Sequence, residues 1–271
     1  METSSTSLGR AARLRAKVRA GELTVGSWLT IGHPAVAEIL ARAGYDWLVI
    51  DLEHSALAIS QVAELIRTID LCGVSPLVRM TSNDRQQIKR VLDAGAHGIV
   101  VPMVNSRAEA EAAVAATRYG PEGSRGVGLS RAQGYGTSFV EYLAWQREGA
   151  LVIPQIEHRD AVACLPEILQ TPGVDGFIVG PYDLSCSLGI PGQFDHPAYL
   201  ASMAEILEVG RRLKVPAGLH IVEPDGAALE RTIAAGYTFI AYSVDFRMVD
   251  VAARHGIAVS RALQATRVDG R

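Results

Sequence analysis

Apolar and polar positions along this chain recur in one unit. The phrases from Ala43 to Ile50, Ala94 to Val101, Pro172 to Val179 and Ala235 to Tyr242 follow the same order. Each closes an amphipathic helical pattern, places a glycine where a left-handed C-cap belongs, and runs into a short apolar, β-branched stretch. A stretch of that kind reads as a strand buried on both faces. Extending the unit predicts strands over 24–31, 46–51, 75–80, 97–104, 151–157, 175–180, 215–221 and 237–243. Helices are predicted over 33–44, 60–72, 83–95, 106–118, 159–170, 196–213 and 225–236, with one more after the last strand. Strict alternation predicts a parallel sheet, and eight repeats in roughly 250 residues predict a closed (β/α)8 barrel. An open doubly wound sheet is the alternative, disfavoured because no Gly-rich dinucleotide turn follows the first strand. Residues 23–271 therefore read as one barrel domain, and 1–22 as an N-terminal segment whose Ala- and Arg-rich pattern predicts an outer helix.

Residues 119–149 are the one long interruption, with a helix predicted around 138–148. The stretch from Gly123 to Gly128 follows a helix rather than opening one, so it is a surface loop and not a phosphate cradle. A long loop at the C-terminal ends of barrel strands is usually functional, and this one is expected there. Arg125 within it is a candidate for a distal substrate carboxylate, with a loop ion pair as the equal alternative.

Composition narrows the class. Of 271 residues, 48% are hydrophobic and 20% charged, which excludes a disordered chain. The net charge of −3 gives no whole-molecule attraction to nucleic acid or to an anionic membrane. No apolar run approaches the roughly 20 residues that span a bilayer. The N-terminal segment has basic residues but no apolar core of a secretory signal; a transit peptide is the weaker reading. Cys72, Cys164 and Cys186 are too scattered for a disulfide framework and read as reduced thiols in a cytoplasmic protein.

In a barrel the chemistry sits at the strand C-termini. Strand two ends Asp51-Leu52-Glu53-His54, strand three at Arg79, strand five at Gln155-Ile156-Glu157, and strand six at Gly180-Pro181-Tyr182-Asp183. Strand seven ends at His220 and strand eight at Asp245. Singly, each has a structural reading: Asp51 or Asp183 as a helix cap, Arg79 as an ion-pair partner, His33 and His220 as satisfied rim histidines. Together they bring acid, base, cation and amide to one mouth. Glu157 and Asp183 supply oxygen ligands with open positions, as a hard octahedral cation requires. His54 stands three residues after Asp51, within reach for that carboxylate to orient its ring. Arg79 is a permanent donor for a carboxylate or enolate oxygen. This set suits proton abstraction beside a carbonyl. Lys17, Lys89 and Lys214 all lie away from the strand C-termini, so none is placed for a Schiff base.

These residues carry a resemblance. Gly44-Tyr45-Asp46-Trp47 with Asp51-Leu52-Glu53-His54, Val78-Arg79, Leu92-Asp93-Ala94-Gly95, Arg125-Gly126-Val127-Gly128, Gln155-Ile156-Glu157 and the run from Gly176 to Ser185, in that order, resemble the HpcH/HpaI family of metal-dependent pyruvate aldolases. The resemblance implies a barrel of the phosphoenolpyruvate/pyruvate superfamily type. It implies Mg2+, Mn2+ or Co2+ on Glu157 and Asp183, chelated by pyruvate. Gln155 would lie beside the carbonyl, and backbone amides from Gly180 to Asp183, Pro181 and Tyr182 between them, would grip the carboxylate. Arg79 would stabilise the enolate oxygen, and His54, paired with Asp51, would be the acid–base group for cleaving 4-hydroxy-2-oxo acids to pyruvate and an aldehyde. It also implies a homohexamer, a dimer of trimers, with a last helix from Phe246 to Ala265 exchanged between neighbours, and a possible contribution of Asp84 to a neighbouring site. Asp84 is equally a good helix-start residue.

Two positions depart from the family pattern: Leu52, beside the presumed base, where glycine is frequent, and Tyr182, where a small residue is usual. The 129–137 stretch differs too. These departures keep open an enzyme of the same fold with another donor or acceptor, citrate-synthase-like or acting on acyl-CoA esters. A non-catalytic binding protein is the remaining alternative, opposed by the complete set of polar strand ends.

Overall fold

The computed structural model describes residues 6–147 and 149–269. Eight parallel strands close a barrel in sequence order: β1 (Thr24–Leu29), β2 (Trp47–Asp51), β3 (Ser75–Arg79), β4 (Gly98–Val101), β5 (Leu151–Ile156), β6 (Phe177–Val179), β7 (Ala217–Ile221) and β8 (Phe239–Val244). β1 pairs with β8 through a register irregularity between Gly26 and Trp28. Gly44, Gly95, Gly173 and Gly236 all have positive φ, as the repeated helix–glycine–strand phrase requires.

Two apolar layers hold the barrel. Trp28, Trp47, Val49, Leu77, Val100, Ile153, Ile178 and Phe239 are part of the interior cluster. Trp47 and Phe239 stack there at 4.2 Å between ring centroids. A larger cluster lies between the sheet and the surrounding helices, with Leu48, Ile50, Leu65, Ile88 and Val101 among its fully buried members.

The N-terminal helix α1 (Ser7–Arg19) is not an outer helix. Its Leu14 and Val18 belong to the interior cluster and close the barrel at the strand N-termini. Asp175, just before β6, anchors it by accepting from Arg15 Nε at 2.9 Å, Arg19 Nε at 2.6 Å and the Val152 amide at 3.1 Å. The arginines thus bind a buried carboxylate while the apolar stripe enters the barrel.

Of the surrounding helices, α2 (Pro34–Arg42), α3 (Ile59–Leu71), α4 (Arg85–Asp93) and α5 (Arg107–Thr117) follow the first four strands. The segment after α5 contains a 3-10 turn at Arg131–Gly136 and helix α6 (Phe139–Gln146). The predicted 159–170 helix is two, α7 (Arg159–Ala163) and α8 (Leu165–Leu169), because Pro166 lacks the amide that would continue the first. The strand β6 leads into α9 (Pro181–Ser187), followed by α10 (Pro197–Leu213), α11 (Gly226–Ala234) and α12 (Asp245–Asp269).

The long segment 119–149 does not sit at the strand C-termini. It follows α5 and precedes β5, so the topology puts it at the strand N-termini. Arg131 donates there to the Ala94 carbonyl at 3.3 Å and pairs with Asp70 at the end of α3. Arg125, offered above for a substrate carboxylate, bonds Asp93 at 2.6 Å and Tyr142 Oη at 2.8 Å and lies 4.8 Å over the Tyr119 ring, with its side chain fully enclosed. It is a packing residue. The altered 129–137 stretch is equally remote from the strand C-termini.

At the opposite mouth Asp245 closes the seam between β8 and β1. Its carboxylate, in a residue 2% exposed, accepts from the amides of Thr30 (2.8 Å) and Ile31 (2.7 Å) and from Thr30 Oγ1 (2.7 Å). Asp245→Ala leaves these donors without their charged acceptor and is expected to cost about 3 kcal/mol. A lower urea midpoint measures it; a loss under about 1 kcal/mol would show that the clamp carries little.

Candidate active site

At the strand C-termini lies a cavity of about 350 Å3, lined by Trp28, Asp51, His54, Arg79, Gln155, Gly180, Pro181, Tyr182, Asp183 and His220 among others. The convergence of polar strand ends is therefore real for most of the residues singled out. Asp84 lies outside it: its carboxylate caps α4 by accepting from the Gln87 amide at 2.8 Å. His33 is likewise a cap, its Nδ1 accepting from the Ala35 amide at 3.1 Å. His158 and His196 do the same for their own helices at 3.2 Å, which accounts for two histidines without chemistry.

The Asp51–His54 pair expected from spacing does not form through the ring. Parallel register pairs Asp51 with Arg79. The guanidinium forks onto the carboxylate, Nε to Oδ1 at 2.9 Å and Nη2 to Oδ2 at 2.6 Å. Asp51 Oδ1 also accepts the backbone amides of Glu53 (3.0 Å) and His54 (3.3 Å), folding the loop back over the strand end. The His54 ring is left 62% exposed, with Glu53 Oε2 at 3.9 Å as its nearest acid partner. That exposure leaves the imidazole free to meet a substrate hydroxyl. Arg79 is fixed on every side: its third nitrogen lies 3.3 Å from Glu53 Oε2 and its plane 4.2 Å over the Trp28 ring.

Glu53 is the residue that sequence reasoning passed over. Its Oε2 is buried with no hydrogen-bond partner among the described residues. Burial pushes its carboxyl up to about 7, against the pull of Arg79, with Asp51 and Asp183 adding repulsion. Glu157, 2% exposed, accepts from the Met103 amide at 2.8 Å through Oε1 and from Gln155 Nε2 through Oε2. Burial raises it to about 7 as well, with Glu53 and Asp183 contributing. Glu53 and Glu157 thus feel each other and Asp183 at the edge of a cavity whose one lining arginine is shared between Asp51 and Glu53. Gly180 makes the approach possible, since a Cβ there would stand 2.4 Å from Glu157 Oε2.

This donor set fits a hard divalent cation. Among the described residues no three His, Cys, Asp or Glu side chains form a ready-made cage. Glu157 and Asp183 would leave positions for water and substrate, which is how Mg2+ is commonly held. The raised carboxyls of Glu53 and Glu157 mark buried acid, only partly offset by Arg79 beside Glu53, that such an ion would relieve.

Of the two departures, Leu52 is 7% exposed and packs in the core between sheet and helices, so it does not narrow the cavity. Tyr182 does line it, its ring edge-on to Phe194 at 5.0 Å.

The family model described as HpcH/HpaI aldolase/citrate lyase matches residues 24–251. The chain belongs to the HpcH/HpaI aldolase family. It is 39% identical over 242 residues to the hydroxypyruvate/pyruvate aldolase of Sagittula stellata, covering 89% of this chain and 94% of that one. It is 38% identical to the 4-hydroxy-2-oxo-heptane-1,7-dioate aldolase of Escherichia coli, over 94% of this chain and 96% of that one. A crystal structure of a family protein from Burkholderia cenocepacia superimposes with a TM-score of 0.88 at 35% identity, covering 92% of this chain and 99% of the other.

Proposed function

We infer that the chain is an aldolase, a carbon–carbon lyase that joins or parts a pyruvate enolate and an aldehyde. The observation that carries this reading is the meeting of Asp183, Gln155, Arg79 and His54 at one cavity, with Glu157 bonded to Gln155 and packed beside Gly180 just behind its lining, in a chain whose relatives are named pyruvate aldolases. A divalent cation held by Glu157 and Asp183, with Mg2+, Mn2+ and Co2+ as candidates, would supply the Lewis acid that draws charge onto the keto oxygen. Gln155 holds Glu157 in place and faces the same space. Tyr182 and Asp183 open α9, where no helical carbonyl reaches their amides, so these amides are available to a substrate carboxylate. Arg79, locked by Asp51 and Trp28, presents fixed positive charge to an enolate oxygen without having to reorganise. His54 takes the proton of the C4 hydroxyl in cleavage and returns one in addition, directly or through water. In this role Asp51 serves the base through the backbone, by holding the loop that carries it.

The same reading includes a homohexamer in which α12 packs on a neighbour. Exposed Val249, Ile257 and Leu263 along that helix support it. A cytoplasmic location accords with three free cysteines, and no helix among the described residues is long and apolar enough to cross a membrane.

The test is exchange of deuterium from D2O into the methyl group of pyruvate, followed by proton NMR. Exchange with Mg2+ or Mn2+ is expected, falling by at least about 100-fold with EDTA and in Glu157→Gln. Absence of exchange with metal present would remove pyruvate as donor and turn the search to oxaloacetate and acyl-CoA esters.

A further inference from the structure

We propose that the strand N-terminal face of the barrel, opposite the aldolase cavity, carries a site for a small phosphorylated anion. A cavity of about 390 Å3 there is lined by Arg15, Arg19, Arg118, Glu122 and Arg147. Its size falls in the range of small-molecule sites. The site stands on its own residues and does not depend on the pyruvate-enolate reading.

The four arginines reach this cavity from three helix ends. Arg15 and Arg19 lie in the last turns of α1, Arg118 follows α5 and Arg147 follows α6. A helix C-terminus favours a cation, so each position is ordinary by itself. Their meeting is not, because the acids around them are too few. Asp175 takes both Arg15 and Arg19, at 2.9 and 2.6 Å. Glu122 lies 3.7 Å from Arg147 across an exposed rim. Arg118 has no ion-pair partner among the described residues. Two positive charges therefore stand without an acid, and one still does if Glu148, next to Arg147 in the chain, is counted against them. Burial, with Arg19 and Arg118 pressing on it, holds the Arg15 guanidinium below its ordinary value in spite of Asp175.

Guanidiniums are planar donors that match phosphate oxygens in pairs. Two unmatched charges suit a phosphoryl group, which is close to a dianion at neutral pH, better than a simple carboxylate. Arg118 is placed before any ligand arrives: a Cβ on Gly173 would stand 2.5 Å from its Nη2, so the glycine makes room for it. Arg19 also lines a second cavity with Arg211 and Lys214, so positive charge continues along the face. Nothing in the proposed assembly supplies the missing acid. The divalent cation belongs to Glu157 and Asp183 at the opposite mouth. Along α12 from Phe246 to Ala265 the one acid is Asp250, already held by Arg247 at 2.6 Å and Arg254 at 2.7 Å. A neighbour's copy of that helix would therefore leave the cluster positive.

The test is titration calorimetry of the metal-free full chain with inorganic phosphate, glycerol 3-phosphate and acetate. Both phosphates are expected to bind saturably and acetate at least about tenfold more weakly, with affinity falling as salt rises from about 0.02 to about 0.5 M. Preference between the two phosphates tells a free anion from a phosphorylated metabolite as the source. Arg118→Gln should weaken phosphate binding about tenfold or more, as loss of a charge-assisted hydrogen bond does. Glu122→Gln removes the acid on the rim and should tighten binding about threefold, a gain that damage to the fold would not produce. Binding unchanged in Arg118→Gln would place the anion elsewhere, at the Tyr182 and Asp183 amides of the opposite mouth, and overturns the proposal. Absence of saturable binding below about 10 mM overturns it as well. Should Arg118→Gln not fold, Glu122→Gln and Arg147→Gln, the latter at a side chain 60% exposed, decide in its place.

Discussion

Replacing Arg79 with lysine is expected to slow pyruvate enolisation about 100- to 1000-fold, the range for loss of one preorganised donor at a developing oxyanion. The charge survives the change; the fork does not. Two nitrogens of the guanidinium hold both oxygens of Asp51 while the third faces Glu53, and the flat face rests on Trp28. An ammonium is a point charge on a flexible stem and can satisfy one of these demands at a time. Asp51, 2% exposed, would keep an incompletely paired charge, and the loop it folds through the Glu53 and His54 amides would loosen. The pH profile supplies a second signature. Arg79 pulls the Glu53 carboxyl down, so weakening it raises that group further above about 7 and moves the acid limb of activity toward alkali. Arg79→Ala should in addition cost about 3–5 kcal/mol of stability, as breaking a buried pair does, and Asp51→Asn in the same chain should recover part of that stability and none of the exchange. Exchange in Arg79→Lys at more than a third of the unmodified rate would show that the arginine is structural only.

Most of the fold was legible because it repeats. The helix–glycine–strand phrase, present in four copies, fixes both a period and a direction, and the eight strand–helix units it extends to leave little choice but a closed barrel. The candidate site was legible in part, since each strand end could be read for its polar residue. What linear spacing could not supply was register between strands. Asp51 and His54 are three apart in sequence, yet Asp51 and Arg79 face each other across β2 and β3, and the bidentate pair takes the carboxylate first. Glu53 was hidden for a related reason. It lies past the end of β2, where a loop glutamate ordinarily meets water, and only the folding of that loop over Arg79 buries it. The glycine and arginine content of 119–149 suggests a loop at the active mouth, and topology overrides that suggestion. A segment that leaves a helix and enters a strand has to lie at the strand N-termini, away from the chemistry. Leu52 shows the converse: next to Asp51 in sequence, it points by the alternation of an extended chain into the opposite layer.

Metal affinity should rise about 100-fold between pH 6 and pH 8. Glu53 and Glu157 both stand near 7 in the folded protein, raised first by burial and then by one another and Asp183. A cation among them must displace the protons they hold, and with two such groups the ionised pair falls about tenfold per group as pH drops from 8 to 6. The sign for stability follows. Folded carboxyls raised above their ordinary 4.5 favour the metal-free fold most below that value, and their contribution is lost as pH climbs through about 7. The metal-free protein therefore loses stability from these groups across the same interval in which bound metal becomes more stabilising. At fixed Mg2+ above its dissociation constant, a 100-fold gain in affinity is worth about 2.7 kcal/mol of added stability. Thermal melts with and without Mg2+ at pH 6 and pH 8 measure both slopes, and titration calorimetry in buffers of different ionisation heat counts the protons released. Glu157→Gln removes one titrating ligand and should flatten the pH dependence as well as weaken binding. An equal gain in Tm on adding Mg2+ at the two pH values would mean that the raised carboxyls are not the ones the cation meets, and would place it elsewhere than between Glu157 and Asp183.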